Sequence, residues 1–75
     1  MQKRVHYLKK IGSKIRDIRE NRGFTQEKFA SLAGMDRSYY GSIERGEHNI
    51  TILTLIRIAD ALGVEAHRLI PPLDK

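Results

Sequence analysis

The stretch RSYYGSIER, residues 37–45, carries side chains that could hydrogen-bond to a flat polar surface. At about 100° per residue, a helix over this stretch places Arg, Gly, Arg, Ser and Ser on one face and Tyr, Ile and Tyr on the other. Guanidinium and hydroxyl groups arranged in this way could read base edges in the DNA major groove, which admits a helix. The alternative is that the small residues let this helix pack closely against another helix.

Gly41 lies in the middle of the polar face, where it costs about 1 kcal/mol relative to alanine. A helix that only had to be soluble would carry Glu, Lys or Gln at such positions. Here Arg37 and Arg45 flank small residues instead. This arrangement favours close approach of the helix backbone to another surface, with a positive charge at each end.

Glycines and capping side chains mark the helices that must position this stretch. The helical spacing of four apolar residues predicts a first helix that ends at Gly23: Leu8, Ile11, Ile15 and Ile18. A second helix is predicted between the N-cap Thr25 and Gly34, and its inner face consists of Phe29, Ala30 and Ala33.

The remaining helices are predicted from the same signals. Asp36 and Thr51 are the N-cap candidates of the third and fourth helices, which end at Gly46 and Gly63. The fourth helix is predicted to be strongly apolar, from Leu55, Ile56, Ala59 and Leu62 with Ile52 before them. The segment VEAHRLI is predicted as a short fifth helix ended by two prolines. Residues 1–7 are predicted to be an arm over DNA or a frayed end.

These elements predict one compact all-α domain of five helices over residues 1–75, with no linker and no internal repeat. The charge is uneven: residues 1–22 hold eight basic and two acidic side chains, a balance of +6, whereas the net charge of the whole chain is +5. A basic region of this kind indicates a polyanionic partner, although a solubilising basic face would look the same. From their place on the first helix, Lys14 and Arg16 are candidates for DNA phosphate contacts.

Other classes of function find little support in the residues. The three histidines have no metal-ligand spacing, and no catalytic triad, carboxylate pair or phosphate loop is found, so neither an enzyme nor a metal or other cofactor is expected. The chain has no cysteine and no apolar run long enough for a membrane helix, and its basic N-terminus is not expected to be a signal peptide. We therefore expect a cytoplasmic protein without a membrane partner.

Two short helices joined by a tight glycine-containing turn are typical of a DNA-binding helix-turn-helix, which here covers residues 25–46. Residues 15–64 resemble the phage-repressor-type (Cro/CI, Xre-like) family in an ordered set of motifs: RGFTQE, the AG turn, IERG and IADALGV. The resemblance implies a lambda-repressor-like DNA-binding domain. MDRSYYGSIERGEHNIT is similar in particular to the controller proteins of restriction–modification systems.

The resemblance also implies roles for individual residues. Base contacts are expected from Arg37, Ser38, Tyr39 and Ser42. Phosphate contacts are expected from Gln26, Arg45 and Asn49. An ion pair between Arg19 and Glu44 is expected to hold the first and third helices together.

The apolar residues after the motif are predicted to pack part of the core and part of a partner, in a homodimer formed by residues 64–75: Val64, Leu69, Ile70 and Leu73. The alternative is that they only close the core. The predicted function is a transcriptional regulator that binds double-stranded DNA at a near-palindromic operator and regulates its own expression. The alternative is an antitoxin that binds a toxin and its own promoter. A toxin or an RNA polymerase subunit is the candidate protein partner.

Overall fold

The computed structural model describes residues 2–73, and the chain is helical over most of this range. Its elements are α1 (Gln2–Asn21), α2 (Gln26–Leu32), α3 (Arg37–Glu44), α4 (Ile52–Leu62) and a short 3-10 helix (Ala66–Leu69). The all-α prediction is therefore confirmed for the described residues. The predicted fifth helix is a single 3-10 turn instead of an α-helix.

The predicted helix ends are also confirmed. The hydroxyls of Thr25 and Thr51 and the carboxylate of Asp36 each accept a hydrogen bond from the backbone N–H three residues later. At the other ends, Gly34 and Gly63 take positive φ angles of 69° and 76°, a conformation that glycine adopts without the cost of a β-carbon. Local sequence signals are sufficient here because a cap involves only near neighbours in the chain.

The structure corrects the prediction that residues 1–7 form an arm over DNA or a frayed end. Met1 lies outside the described residues. Residues 2–7 belong to α1, which runs for 20 residues without a break. The segment contains neither glycine nor proline, and its lysine and arginine side chains are good helix formers. The helix therefore extends toward the N-terminus beyond Leu8, the first residue of the predicted apolar face.

The core lies where α1, α2, α3 and α4 meet. Its largest fully buried side chains are those of Ile15, Phe29, Tyr40, Ile58, Leu62 and Leu69. Two of the apolar residues from which α4 was predicted lie outside the core, since Ile52 and Ile56 are 67% and 48% exposed. Leu55, Ile58, Ala59 and Leu62 form the buried face of α4 instead.

One close approach decides how α1 meets α3. Gly12, in the middle of α1, is buried, and a β-carbon placed on it would come within 2.5 Å of the Ile43 carbonyl oxygen. It would also collide with the carbonyl oxygen of Glu44. The end of α3 thus packs on the backbone of α1 at a position where a methyl group does not fit.

The short fifth element follows from the prolines behind it. Only seven residues lie between Gly63 and Pro71, and a residue before proline is disfavoured in the α conformation. Ile70 is accordingly extended, with φ −99° and ψ 120°. A 3-10 turn is the helical form that short segments of this kind adopt.

Candidate nucleic-acid interface

Helices α2 and α3 form a helix-turn-helix with a short turn. Hydrogen bonds tighten this turn: the Met35 N–H donates to the Ala30 carbonyl at 2.8 Å, and Gly34 N–H donates to the Ser31 carbonyl at 3.1 Å. The next residue, Asp36, caps α3 by accepting from the Tyr39 N–H at 3.2 Å. The turn therefore fixes the direction in which α3 leaves α2.

The exposure of α3 changes along its length. Its first turn, Arg37, Ser38 and Tyr39, is exposed, whereas all five residues from Tyr40 to Glu44 are buried. The N-terminal turn of α3 thus projects from the protein while the rest of the helix is embedded. In helix-turn-helix proteins, the N-terminal residues of the second helix are the ones that contact base edges.

Ser42 does not share this exposure. Its side chain is in the interior, the residue is 6% exposed, and its hydroxyl donates to the Tyr39 carbonyl oxygen at 2.6 Å. The expectation that Ser42 contacts bases disagrees with this position, because its hydrogen atom is already donated within the helix. Tyr39, which a simple helical projection places toward the inner face, is 37% exposed.

An aromatic contact supports Tyr39 from the loop that follows α3. The rings of Tyr39 and His48 are 5.4 Å apart between centroids and inclined by 54°. Both residues are exposed, as is Asn49, the predicted phosphate contact next in the chain. The loop after α3 therefore lies beside the projecting first turn and belongs to the same surface.

A buried carboxylate holds the three helices together behind this surface. Glu44 accepts hydrogen bonds from Arg19 Nε at 2.6 Å, from Arg19 Nη2 at 3.1 Å and from Gln26 Nε2 at 2.9 Å. The hydroxyl of Tyr40 donates to the same carboxylate. Arg19 lies on α1 and Gln26 begins α2, so one side chain of α3 is bonded to both neighbouring helices.

The cluster shifts the proton affinities of its members. Burial opposes ionisation of Glu44, but the hydrogen bonds from Arg19, Tyr40 and Gln26 outweigh it and lower the pKa of the carboxyl. The hydrogen bond to Glu44 raises the pKa of Arg19 despite burial. Burial, followed by the hydrogen bond to Glu44, raises the pKa of the Tyr40 hydroxyl. The carboxylate is thus held charged and Tyr40 is held protonated.

Gln26 and Arg45 meet over Gly41. A β-carbon on Gly41 would lie 3.2 Å from Nη1 of Arg45 and 3.6 Å from Oε1 of Gln26. Two predicted phosphate ligands are therefore brought together at the junction of α2 and α3. Gly41 leaves room for the Arg45 guanidinium, which gives a physical reason for a glycine inside this helix.

Arg45 also forms an ion pair with Glu47, which is not among the contacts predicted from the sequence. Its Nε donates to Glu47 Oε2 at 3.0 Å and its Nη2 donates to Glu47 Oε1 at 3.2 Å. Both side chains remain more than half exposed. Side chains two residues apart do not face each other on a helix, so their spacing does not predict an ion pair. The pair forms because of the conformation of the loop after α3.

The basic residues of α1 fall on different sides of the helix. Gly12 faces α3, and Lys14 is rotated about 200° from it. Lys14 lines a groove of about 340 Å³ together with Lys10, Arg68 and the segment Leu69–Pro72. It is therefore on the side of α1 opposite α3, away from the exposed first turn of α3, and its phosphate contact stays a prediction.

Arg16 is closer to the α3 side, since about 40° separates it from Gly12 around α1. It is exposed, and its Nε donates to Glu20 Oε2 at 3.3 Å. An exposed pair of this type holds the side chain only weakly. Arg16 thus keeps a position from which it can reach a DNA backbone.

The residues predicted to form the dimer interface differ in burial and in position. Leu69 is 1% exposed and belongs to the core, so its assignment to an interface was wrong. Val64 lines a groove of about 380 Å³ with Ile56, whereas Ile70 lines the groove beside α1. Leu73 is 75% exposed.

Helix α4 carries a group of three exposed apolar residues. Ile52, Leu53 and Ile56 are 67%, 79% and 48% exposed, and their i, i+1, i+4 spacing places them on one face. The sequence predicts that α4 is strongly apolar, but it does not tell which side of the helix stays exposed.

Within residues 2–73, no group of three or more His, Cys, Asp or Glu side chains is placed to hold a metal ion. None of the helices described there is long and apolar enough to cross a membrane.

A helix-turn-helix family model matches residues 15–69 of the chain. An uncharacterized HTH-type transcriptional regulator, y4dJ of Sinorhizobium fredii, is 39% identical over 67 residues, which are 89% of this chain and 87% of that protein. The control protein C.MunI of a Mycoplasma species is 34% identical, covering 88% of this chain and 90% of its own length.

A solved structure is similarly close. The restriction-modification controller protein C.AhdI from Aeromonas hydrophila superposes with a TM-score of 0.80 at 40% identity, over 83% of this chain and 94% of that one. The similarity thus extends over the helix-turn-helix and the helices that frame it.

Proposed function

The chain belongs to the helix-turn-helix family of transcriptional regulators, and from that membership we propose that it binds a near-palindromic operator as a homodimer and controls its own promoter. The observation that carries the proposal is the projecting first turn of α3, with Arg37, Ser38 and Tyr39 exposed on a helix whose remainder is buried. A rigid helix with an exposed polar N-terminal turn is suited to enter the major groove.

The proposed base contacts are Arg37, Ser38 and Tyr39. Arg37 can donate two hydrogen bonds to guanine O6 and N7, which is the commonest specific contact between a protein and a base. Ser38 can donate or accept, and the Tyr39 ring can contact a thymine methyl group. Ser42 is left out of this set because its hydroxyl is used within α3.

The proposed backbone contacts surround this turn. Gln26 and Arg45 lie together at the junction of α2 and α3, and Asn49 is exposed in the loop beside Tyr39. Arg16 is the candidate from α1. These residues are placed to fix the register of the helix on DNA without reading sequence themselves.

The proposed dimer uses the exposed face of α4. Ile52, Leu53 and Ile56 form an apolar surface next to the groove that contains Val64. A domain of 75 residues buries a limited fraction of its surface, and an exposed apolar face of this kind is typical of a protein interface. A two-fold dimer would place two copies of α3 about 34 Å apart, one turn of DNA.

Resemblance to control proteins such as C.MunI and C.AhdI supports a controller-like regulator that acts on its own upstream region. The antitoxin alternative receives no support from the comparisons.

The proposal is tested by binding to the upstream DNA of its gene, with a scrambled duplex as competitor, at two salt concentrations. Selective binding that weakens with salt is expected, since phosphate contacts release counterions. Arg37→Ala should cost about 1–3 kcal/mol on the operator and relax specificity at one base pair. Lys14→Ala removes the same charge on the other side of α1 and should change affinity less than about twofold at the higher salt.

Equal loss on both duplexes in Arg37→Ala would instead assign Arg37 to phosphate. If the unmodified protein bound neither duplex, an operator in this region would be ruled out. Genome-wide recovery of bound fragments would then decide whether the protein binds DNA specifically at all.

A further inference from the structure

The ion pair between Arg45 and Glu47 lies within the surface proposed to contact DNA. Arg45 is the C-cap residue that follows α3. Its guanidinium lies over Gly41 beside the Gln26 side chain. A phosphate that approached Gln26 would therefore meet the guanidinium of Arg45. In the free protein, that guanidinium is already bonded to a carboxylate.

The geometry of the pair imitates a phosphate complex. Arginine binds carboxylates and phosphates alike through two parallel hydrogen bonds. Glu47 uses both of its oxygens, on two different nitrogens of Arg45, at 3.0 Å and 3.2 Å. A DNA phosphate can take these nitrogens only by displacing the carboxylate, which then remains close to the DNA backbone.

We propose that Glu47 is an autoinhibitory competitor of DNA: it occupies Arg45 in the free protein and lowers the affinity for duplexes of any sequence. The inference rests on the proposed function, because it requires that Arg45 face the DNA backbone. The hydrogen bond from Arg45, which lowers the pKa of Glu47, keeps this carboxylate charged.

The neighbouring residues limit where Glu47 can go. His48 follows it directly and contacts the Tyr39 ring on the first turn of α3. On the other side, the backbone N–H of Glu47 donates to the Ser42 carbonyl oxygen at 3.0 Å. The peptide that carries Glu47 is thus attached to α3 at both ends, and its carboxylate stays near the interface after Arg45 leaves it.

The effect should be independent of sequence. The cost of breaking the pair and of placing a carboxylate beside phosphates is the same on operator and on random DNA. Glu47 should therefore reduce both affinities by the same factor, and the ratio between them should stay constant. A residue that reads a base would change the ratio instead.

The test measures the affinities of Glu47→Gln and the unmodified protein for the operator and for a scrambled duplex at several salt concentrations. The variant should bind both duplexes about two- to fivefold more tightly. Its plot of log affinity against log salt should be steeper, by at most about one, since no displaced carboxylate remains beside the phosphates to retain a cation in the complex. Both side chains of the pair are more than half exposed, so the variant should fold normally, which thermal unfolding checks.

Two controls separate the pair from general charge effects. Glu65→Gln removes the same charge from an exposed position before the 3-10 helix and should have little effect. In an Arg45→Gln background, Glu47→Gln should lose most of its gain, because the carboxylate no longer has a guanidinium to occupy.

Several results would overturn the inference. Weaker binding of Glu47→Gln to the operator alone would show that Glu47 accepts a hydrogen bond from a base such as cytosine. A gain that persists without Arg45, or one equal to that of Glu65→Gln, would assign the effect to general repulsion. These results leave the proposed function intact, provided that the unmodified protein binds the operator selectively. Absence of DNA binding by both proteins would remove both proposals.

Discussion

At the scale of single residues, Glu44 connects the surface proposed to contact DNA to the helices behind it. Its carboxylate receives hydrogen bonds from α1, from α2 and from within α3. Breaking a buried ion pair by removing one partner is costly because it leaves an uncompensated charge. The direction of the projecting turn of α3 therefore depends on a residue that has no contact with the partner.

Replacing Glu44 with glutamine should lower the free energy of unfolding by about 2–4 kcal/mol at neutral pH, because buried Arg19 loses its counter-charge. Urea denaturation measures this loss. Glu20→Gln, which removes an exposed carboxylate paired with Arg16, is the control and should cost less than about 1 kcal/mol. A comparable loss in both variants would mean that the buried position of Glu44 has no special effect.

The same residue predicts how stability depends on pH. Because the folded-state pKa of Glu44 is lowered, its contribution is fully present above the ordinary value of 4.5 and is lost as the pH falls through the folded value. The difference in stability between the unmodified protein and Glu44→Gln should therefore shrink below about pH 4. A difference that stayed constant from neutral pH into this acid range would contradict the assigned pKa shift.

At the scale of elements, the helix ends could be predicted from the sequence and the exposure of α3 could not. Thr25, Asp36 and Gly63 signal helix ends through hydrogen bonds and backbone angles within a few residues. The helical projection of α3 assumes that burial varies around the helix. In this helix burial varies along the axis, from an exposed first turn to a fully buried second turn, and only tertiary packing determines that.

Gly12 is a second feature that tertiary packing determines and the local sequence does not explain. It lies inside a helix, where alanine would be about 1 kcal/mol more favourable, and nothing nearby in the sequence explains it. The reason is the end of α3, whose carbonyl oxygens leave no space for a β-carbon. Contacts between residues that are more than thirty positions apart do not produce a local pattern.

Gly12→Ala should consequently destabilise the protein by about 1–3 kcal/mol, since the obstructing atoms are backbone and α1 must move away from α3. Ser13→Ala, at the exposed position next to it, should be neutral or slightly stabilising. Thermal unfolding of the two variants gives the comparison. If Gly12→Ala were as stable as Ser13→Ala, the two helices would have room that the structure does not show.

At the scale of the whole molecule, the apolar residues of the C-terminal half fall into a buried group and an exposed group. Leu69 completes the core, whereas Ile52, Leu53 and Ile56 remain outside it. The sequence predicts a strongly apolar α4 and an apolar C-terminal segment, but hydrophobicity alone does not tell which neighbour covers each side chain.

Leu53→Glu should therefore weaken the proposed dimer, raising its dissociation constant more than about tenfold, because a charge would be placed at the centre of an apolar interface. Analytical ultracentrifugation over a range of concentrations measures this. Leu32→Glu introduces the same charge at another exposed leucine, on α2, and should leave the dimer unchanged. If the Leu53 variant dimerised as the unmodified protein does, the interface would have to lie elsewhere.

The position of Lys10 and Lys14 on the far side of α1 has a kinetic consequence. Charges that make no contact in a complex still attract a polyanion before contact, over a distance set by the Debye length of about 10 Å at 0.1 M salt. The lysines around the groove beside α1 would then accelerate the encounter with DNA and have little influence on how long the complex lasts. On the proposed function, the basic excess of this chain would accordingly be divided between residues that help it find DNA and residues that keep it bound.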